Sequence, residues 1–261
     1  IVNMKIIFYT LMFFKLLSGL DNSRFIEPSS AKQISSTLPI KNYDILESSV
    51  DPDSLFIGPG DIIEINIVSS TIVSNYDLIV DNTGFISIPV VGAINVNSLS
   101  LSGAHQTIED IIKKRYSHAQ ITVMLKKAGI FKIKIIGPFN HSVHYNATSF
   151  TTVNDVYKIF ISEQKSLNKD INKISQRNIK LYRKNKVINV DLMKFKLYGD
   201  SLDNPYLRRG DVIKIGYIKH FTSIWGGVNR PQSYEYSENE TVQDLVNYAG
   251  GISIKGDIEN I

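Results

Sequence analysis

The fold is decided by the stretch FIGPGDIIEINIVSS at residues 56–70, which opens a segment that continues to Leu101. Its Gly58-Pro59-Gly60-Asp61 sequence predicts a type II turn, because proline presets φ at about −65° in the second position and glycine accepts the positive φ of the third. Every second residue from Ile63 to Ile67 is an isoleucine, which is the period of a β-strand with one buried face. The stretch therefore predicts a tight turn that leads directly into a half-buried strand.

A second turn motif, Asp81-Asn82-Thr83-Gly84, separates the apolar runs at residues 78–80 and 85–88. This spacing predicts a β-hairpin in which Gly84 takes the left-handed position. Pro89 and Gly92 interrupt the next apolar run, so the strand there is expected to lie at a sheet edge or to bend. The segment as a whole predicts a β-rich domain.

One helix and one further strand are predicted to complete this domain. Ser100 or Ser102 can cap a helix over residues 103–116, and residues at three- and four-residue spacing give that helix one buried face. The positions predicted to be buried are Ala104, Ile108, Ile111, Ile112 and Arg115. Alternation over residues 121–125 predicts the closing strand.

An internal repeat follows the first domain. Residues 137–156 align without a gap on residues 226–245, and each copy predicts a glycine turn, a short strand and a helix. The two short strands centre on Tyr145 and Tyr234. The predicted helix caps are Thr152 and Thr241, each followed three residues later by an aspartate that can complete a capping box, Asp155 and Asp244.

The region between the two copies contains a predicted hairpin and a second Gly-Asp turn. Residues 179–183 and 187–191 are the strands of the hairpin, which turns around Lys184-Asn185. Gly210-Asp211 then precedes an apolar alternation, just as Gly60-Asp61 precedes the first strand. The sequence therefore uses a Gly-Asp turn twice to begin a strand.

This order of motifs resembles bacterial outer-membrane polysaccharide export proteins, the translocons of capsule and exopolysaccharide. The resemblance implies an α+β fold, in which a β-rich N-terminal export domain is followed by ubiquitin-like, soluble-ligand-binding β-grasp (SLBB) domains. We expect the export domain at residues 53–127, a first SLBB domain at residues 129–217 and a second, truncated SLBB domain at residues 220–261.

The residues that carry the resemblance are glycines, prolines and polar residues of turns, and we expect their role to be mainly structural. They are Gly58, Pro59, Gly60, Asp61, Gly84, Pro89, Gly92, Gly210, Asp211, Gly227, Asn229, Pro231, Gly250 and Gly251. Asp61 is expected to accept hydrogen bonds from its own turn, with a contact between subunits as the alternative. Four aromatic residues are expected to pack internally, with stacking on sugar rings as the alternative: Tyr145, Tyr157, Trp225 and Tyr234.

The resemblance implies a non-enzymatic function. The chain is expected to form a ring-shaped homo-oligomer, commonly an octamer, that conducts capsular or exopolysaccharide through the periplasm and the outer membrane. The implied partners are the exported polysaccharide, an inner-membrane copolymerase or chain-length regulator, and the outer membrane. The alternative is a monomeric periplasmic or surface SLBB protein that binds a soluble ligand or glycan.

Composition argues against several other classes of function. The 261 residues contain no cysteine and have a formal net charge of +4. Basic residues such as Arg183 and Arg209 are scattered as expected of a solvated surface rather than clustered as in nucleic-acid-binding proteins, with contact to an anionic glycan or a lipid head group as the alternative. The sequence has no nucleophile-elbow, zinc-protease or P-loop motif, and His141 and His144 have no acidic cluster beside them. We therefore expect no enzyme active site, no cofactor, no metal and no nucleic-acid partner.

The first residues predict export from the cytoplasm. The apolar run that ends at Leu20 is shorter than the ~20 residues of a membrane span, which favours a signal peptide over an N-terminal anchor for residues 1–20. Residues 21–52 predict an extended arm or linker. Leu20 stands where a lipoprotein has its acylated cysteine, so we expect a periplasmic or outer-membrane protein that is not a lipoprotein. The resemblance implies that export proteins which cross the outer membrane do so with a C-terminal amphipathic helix. No such helix is recognised in the sequence up to Ile261.

Overall fold

A Gly-Asp turn and the isoleucine strand behind it form the centre of the N-terminal module, which we define as residues 50–127. The computed structural model of the protein describes residues 50–138, 142–254 and 256. The predicted signal peptide or anchor at residues 1–20 and nearly all of the predicted arm at residues 21–52 lie outside the described residues.

The N-terminal module contains five strands and one helix. They are β1 (Ile62–Val68), β2 (Val73–Ile79), β3 (Phe85–Ile88), β4 (Gly92–Asn95), α1 (Leu101–Lys113) and β5 (Gln120–Lys127). Strand β1 is the middle strand of an antiparallel sheet of order β2-β1-β5, in which Ile65 pairs with Tyr76 on one side and with Val123 on the other. Ile63, Ile65 and Ile67 are buried, which confirms the predicted alternation.

Helix α1 packs on the core of this module with the predicted face, except at its C-terminal end. Ser100 is the cap and accepts the N–H of Gly103 at 3.1 Å, so the helix begins two residues earlier than predicted. Ala104, Ile108 and Ile112 are buried, and Ile111 is partly buried. The predicted burial of Arg115 is wrong, because the helix ends at Lys113 and Arg115 lies beyond it, exposed.

The hairpin predicted around residues 81–84 is wrong, because this turn connects two different sheets. Strand β2 pairs with β1, whereas β3 pairs with β4 in a separate two-stranded sheet. The turn itself forms as predicted: Asp81 accepts the N–H of Phe85 at 3.0 Å, and Gly84 has a φ of 90°. A local turn motif specifies a change of direction, whereas the partner strand depends on residues outside the turn.

The central module, residues 131–217, is built on one mixed five-stranded sheet. Its elements are β6 (Phe131–Ile136), β7 (Ser142–Ala147), α2 (Val153–Ser166), β8 (Ile174–Arg183), β9 (Lys186–Val190), α3 (Leu192–Tyr198) and β10 (Val212–Tyr217). The strand order is β7-β6-β10-β8-β9, with β6 and β10 parallel and the other described pairs antiparallel. The first and last strands of the module therefore lie side by side at its centre, the arrangement of a β-grasp. The predicted hairpin around Lys184 is the β8–β9 pair.

Helix α2 covers one face of this sheet. Val156 and Phe160 of the helix are buried in one cluster with Ile133, Ile135 and Leu181 of the strands. Apolar burial of this kind stabilises a fold by about 25 cal/mol for each Å² removed from water, so this cluster is the main source of stability for the module.

The C-terminal module, residues 221–256, repeats the opening of the central module. Its elements are β11 (Phe221–Ile224), β12 (Gln232–Glu235) and α4 (Val242–Tyr248). The predicted capping boxes are confirmed in both copies, since the side chains of Thr152 and Thr241 accept from Asp155 and Asp244 N–H at 3.3 Å, and each aspartate accepts the N–H of its threonine. The repeat in sequence is therefore a repeat in structure.

The described residues belong to one compact unit, within which contacts link the three modules. The fold is α+β, as the sequence predicted. In the part of the chain that the structure describes, no helix combines the length and the apolar character needed to cross a bilayer.

Candidate functional site

The first Gly-Asp turn buries a carboxylate at the start of β1. Asp61 is fully buried, and its two oxygens accept the N–H of Gly58 at 2.8 Å and the N–H of Gly129 at 2.6 Å. Gly60 has a φ of 86°, as the third position of a type II turn requires. The bond from Gly58 is the one that the sequence predicted, and the bond from Gly129 also ties the β5–β6 connection to the turn.

The second Gly-Asp turn has the same construction at the start of β10. Asp211 is buried and accepts the N–H of Arg208 at 2.8 Å, three residues earlier, as Asp61 does in the first turn. Gly210 has a φ of 84°. Arg183 completes the turn by donating to both oxygens of Asp211, from Nε at 3.0 Å and from Nη2 at 2.7 Å. Buried Asp211 therefore has an arginine as its partner.

Arg209 of the second turn reaches the first turn and so joins the two modules. Its Nη2 donates to Asp61 Oδ1 at 2.9 Å and to the carbonyl oxygen of Pro59 at 2.7 Å. Glycines make the room, because a Cβ on Gly58 would lie 2.6 Å from Arg209 Nη1 and a Cβ on Gly129 would lie 2.6 Å from the backbone of the first turn. We call the Asp61–Arg209 ion pair the junction latch.

A basic cleft of 410 Å³ lies beside the junction latch, between the N-terminal and central modules. Its twelve lining residues include no carboxylate and five cations, which are Arg183, Lys184, Lys186, Arg208 and Arg209. We call this cavity the junction cleft. Its residue composition is suited to an anion.

Most of the positive charge of the junction cleft is not compensated. The aspartates of the two Gly-Asp turns pair with Arg183 and Arg209. The other three cations, Lys184, Lys186 and Arg208, form no ion pair with any residue that the structure describes. Three positive charges therefore remain available along the cleft.

Arg208 is held in the junction cleft by stacking. Its guanidinium carbon lies 3.3 Å from the centre of the Phe56 ring, a cation–π contact between the two modules. Its Nε is buried and has no hydrogen-bond partner among the described residues. Burial and the charge of Arg183 lower the pKa of Arg208 below its ordinary value, although Asp211 opposes them. Packing, and not a carboxylate, therefore positions this guanidinium.

Arg177 joins the central and C-terminal modules through a second ion-pair network. From β8 it donates to Asp191 Oδ2 at 2.8 Å, to Glu240 Oε2 at 2.6 Å and to the carbonyl oxygen of Glu235 at 3.0 Å. Burial opposes the charge on Arg177, but the bonds from Glu240 and Asp191 outweigh burial and raise its pKa above the ordinary value. The network therefore holds a fully ionised arginine between two modules.

The two glutamates of this network respond differently to burial. At Glu240, the bonds from Arg177 and the Tyr248 hydroxyl outweigh burial and lower the pKa from 4.5 to about 2. At Glu235, burial dominates and raises the pKa, even though Ser175 and a backbone N–H donate to it. The junction of these modules therefore depends on an ionised Glu240.

Three further predicted signature residues lie in turns of the N-terminal module. A Cβ on Gly84 would lie 2.2 Å from the Cβ of Asn97, so this position requires glycine for space as well as for its φ. Pro89 and Gly92 flank the turn that joins β3 to β4, which confirms the predicted bend. Val90, which the sequence analysis did not single out, has a φ of 68° in this turn, a position that usually needs glycine.

The predicted signature residues of the C-terminal module form a pair of loops. The Asn229 side chain donates to the carbonyl oxygen of Gly250 at 2.8 Å. The backbone N–H of Asn229 donates to the carbonyl oxygen of Gly251 at 3.1 Å. Gly250 and Gly251 have φ values of 81° and 77°. Gly227 accepts a backbone hydrogen bond in the same loops, and Pro231 is exposed. These residues therefore shape the two loops through hydrogen bonds to the backbone and through positive φ angles.

Three of the four aromatic residues considered for sugar stacking are in the core. Tyr145, Tyr157 and Tyr234 are buried, which agrees with internal packing. The expected packing of Trp225 is wrong, because this residue is 70% exposed. The described core of the C-terminal module is small, consisting mainly of Tyr234, Tyr248 and Ala249, and does not extend to Trp225.

Only one of the two histidines considered as metal ligands is among the described residues. His144 is exposed on β7, and His141 lies outside the described residues. Over residues 50–138, 142–254 and 256, no three histidine, cysteine or acidic side chains are close enough together to hold a metal ion.

The charged residues of the two junctions are those that sequence reasoning missed. The prediction that Arg183 and Arg209 belong to a solvated surface is wrong, because each pairs with a buried aspartate. The available signal was the doubled Gly-Asp turn, since a buried carboxylate needs a cation. Arg177 and Glu240 lie 63 residues apart, and no local pattern indicates that they meet.

Two sequence families match parts of the chain. Residues 49–126 match the family described as polysaccharide biosynthesis/export protein, and residues 222–261 match the SLBB domain. These matches correspond to the N-terminal and C-terminal modules, and their order confirms the resemblance identified from the motifs. No curated protein matches the chain.

Proposed function

Because residues 49–126 match a polysaccharide biosynthesis/export domain and residues 222–261 an SLBB domain, we propose that this chain is a subunit of a polysaccharide export translocon. In this proposal, copies of the chain form a closed ring that conducts capsular or exopolysaccharide. The polymer passes as an intact chain, so the subunit makes and breaks no covalent bond. A ring of eight copies is the expected assembly.

The structure adds to these matches a direct ion-pair link between the export domain and the central module. The junction latch contains a fully buried carboxylate, and removal of either partner would leave a charge without its counterion. A cyclic ring closes at only one angle between neighbouring subunits, because its interfaces are heterologous. A subunit of such a ring therefore needs modules held in a fixed orientation, which the latch supplies.

We also propose that the central module is a first SLBB domain, with the chain divided at residues 53–127, 129–217 and 220–261. Its sheet order is that of a β-grasp. Its β6–β7–α2 segment has the same order of elements and the same capping box as the β11–β12–α4 segment within the matched SLBB domain. Two consecutive SLBB domains would then follow the export domain.

The export-family match supports a role in the handling of polysaccharide, and with it a location in the periplasm or at the outer membrane. We propose further that the apolar run at residues 1–20 directs export as a signal, and that an inner-membrane copolymerase delivers the polymer. The fourteen signature residues are proposed to set backbone geometry rather than to contact the polymer.

Particle shape and oligomeric mass test the proposed conduit. The 261-residue chain is extracted in mild detergent, weighed by mass photometry and imaged by negative-stain electron microscopy. Rings with a central cavity are the expected result. Arg209→Met, which removes the junction latch, is expected to reduce the fraction of rings, whereas Lys126→Met, which removes an exposed ion pair with Asp77, is the matched control and should leave them unchanged.

A monomer that persists across protein and detergent concentrations would overturn the conduit. The chain would then be a monomeric SLBB protein that binds a soluble ligand or glycan. Measurement of glycan binding by that monomer would be the next experiment.

A further inference from the structure

We propose that the junction cleft binds an anionic sugar residue of the transported polymer, one that carries a carboxylate or a phosphate. This inference rests on the proposed export function and adds the chemical class of the substrate. The junction cleft lies between two modules, and none of the predicted signature residues lines it.

The charge of the junction cleft favours an anion. Lys184, Lys186 and Arg208 line a cavity of 410 Å³ whose lining contains no carboxylate, and none of them has an ion-pair partner among the described residues. Like charges held together in a concave surface repel each other and focus a positive potential. A bound anion would offset the repulsion among these three cations, so their charge favours the occupied cleft.

Arg208 has the geometry of an anion ligand. Its guanidinium carbon lies 3.3 Å from the centre of the Phe56 ring, and its side chain donates no hydrogen bond to any described residue. A planar guanidinium matches a carboxylate or a phosphate through two parallel N–H donors. Because stacking has already restricted the side chain, less conformational entropy is lost on binding.

Two lysines of the β8–β9 hairpin line the cleft together with Arg208: Lys184 lies in the turn and Lys186 begins β9. Lys184 has a φ of 50°, a conformation that asparagine and glycine adopt more readily than lysine does. The chain therefore has a lysine at a turn position where asparagine or glycine fits the backbone better. A lysine at the rim of an anion site supplies positive charge.

The remaining lining suits a sugar rather than a bare ion. Asn97, Ser98 and Asn185 are neutral side chains that can both donate and accept hydrogen bonds, as sugar hydroxyls require. The cavity volume also falls within the range of about 300–1,000 Å³ that is typical of small-molecule sites. Charge and neutral polar groups together point to a charged sugar.

Isothermal titration calorimetry at low ionic strength tests the inference with matched pairs of ligands on the 261-residue chain. Tetragalacturonate is compared with maltotetraose, and glucose 6-phosphate with glucose. Each anionic ligand is expected to bind at least about tenfold more tightly than its neutral partner, and added salt is expected to weaken the binding. Whichever anionic ligand binds more tightly identifies the source of the negative charge.

Two cleft variants and one control variant locate the site. Arg208→Gln and the double variant Lys184→Asn/Lys186→Gln are each expected to weaken the anionic ligands by about fivefold or more. The double variant keeps the test valid if Arg208→Gln unfolds, because asparagine tolerates the positive φ of Lys184. Lys114→Gln/Lys158→Gln removes the same charge from exposed positions outside the cleft and should change affinity by less than about twofold.

Binding that the cleft variants and the control weaken equally, or no preference for the anionic ligands, would overturn the inference. Loss of rings in the cleft variants, with no ligand bound by the unmodified chain, would also overturn it and would make the cleft a contact between copies. Rings without anionic binding would leave the proposed export function standing. Anionic binding by a persistent monomer would support the cleft and overturn the conduit.

Discussion

Replacement of Asp61 by asparagine tests whether the junction latch holds the N-terminal and central modules together. Asp61→Asn keeps the size and shape of the side chain and removes its charge. The carboxylate accepts from two backbone N–H groups, at 2.8 Å and 2.6 Å, and from Arg209 at 2.9 Å. The new amide has an NH₂ group in place of one carboxylate oxygen. This group cannot accept a hydrogen bond, so the N–H donor that it faces loses its acceptor.

The expected loss follows from burial. Asp61 is fully buried, and removal of one partner from a buried ion pair typically destabilises a protein by about 3–5 kcal/mol. The matched control is Asp77→Asn, which breaks an ion pair with Lys126 in which both side chains are 49% exposed. An exposed pair of this kind contributes about 0–1 kcal/mol. The two variants therefore differ severalfold in expected effect.

Urea unfolding followed by circular dichroism measures this difference. With a slope of about 3 kcal/mol per molar urea, Asp61→Asn is expected to lower the midpoint by about 1–1.7 M, and Asp77→Asn by less than about 0.3 M. Arg209→Met and the double variant Asp61→Asn/Arg209→Met complete a double-mutant cycle. Because either single change already breaks the ion pair, the double variant should lose clearly less than the sum of the two.

Two results would refute this reasoning. If Asp61→Asn lowered the midpoint no more than Asp77→Asn does, the buried pair would not hold the modules together. If the losses of Asp61→Asn and Arg209→Met simply added, the two residues would act independently, which contradicts their contact of 2.9 Å.

Three further predictions address other parts of the molecule. The pKa of Glu240 falls from 4.5 to about 2 in the folded protein, so its contribution to the free energy of unfolding is present above pH 4.5 and is lost as the pH falls toward 2. Glu240→Gln should therefore flatten the pH dependence of the urea midpoint in that window, and an unchanged slope would contradict the role of Arg177. Val90→Gly should raise the free energy of unfolding by about 0.5–1 kcal/mol, because the exposed Val90 has a φ of 68°. An equal increase in the Val90→Ala variant would show that φ is not the cause. Thr152→Ala should lower the free energy of unfolding by about 1 kcal/mol through loss of the capping box, and an unchanged thermal unfolding midpoint would contradict this role of Thr152.

Local patterns in the sequence predicted the elements that depend on neighbouring residues. The isoleucine alternation of β1, the two Gly-Asp turns and the capping boxes of α2 and α4 all form as predicted. Each of these features is satisfied within a few residues, so its physical cause is visible in a short stretch of sequence. The repeat of β6–β7–α2 in β11–β12–α4 was visible for the same reason.

Features that depend on distant residues were predicted wrongly or missed. The turn at residues 81–84 formed, but β3 paired with β4 and not with β2, because a turn motif of four residues does not specify the partner strand. Arg115 followed the helical spacing, but the helix ended before it. Arg183 and Arg209 looked like scattered surface charge until the fold placed two buried aspartates beside them.

The sequence by itself determined where this chain turns, which faces of its strands and helices are apolar, and which families its modules match. Only the tertiary structure decided that Arg209, 148 residues beyond Asp61, pairs with it, and that three further cations line a cavity without a carboxylate. The physical reason is the range of the interactions. Turns, caps and periodicity are set by backbone geometry over a few residues, whereas the partner of a buried charge is whichever residue the packing of two modules brings to it.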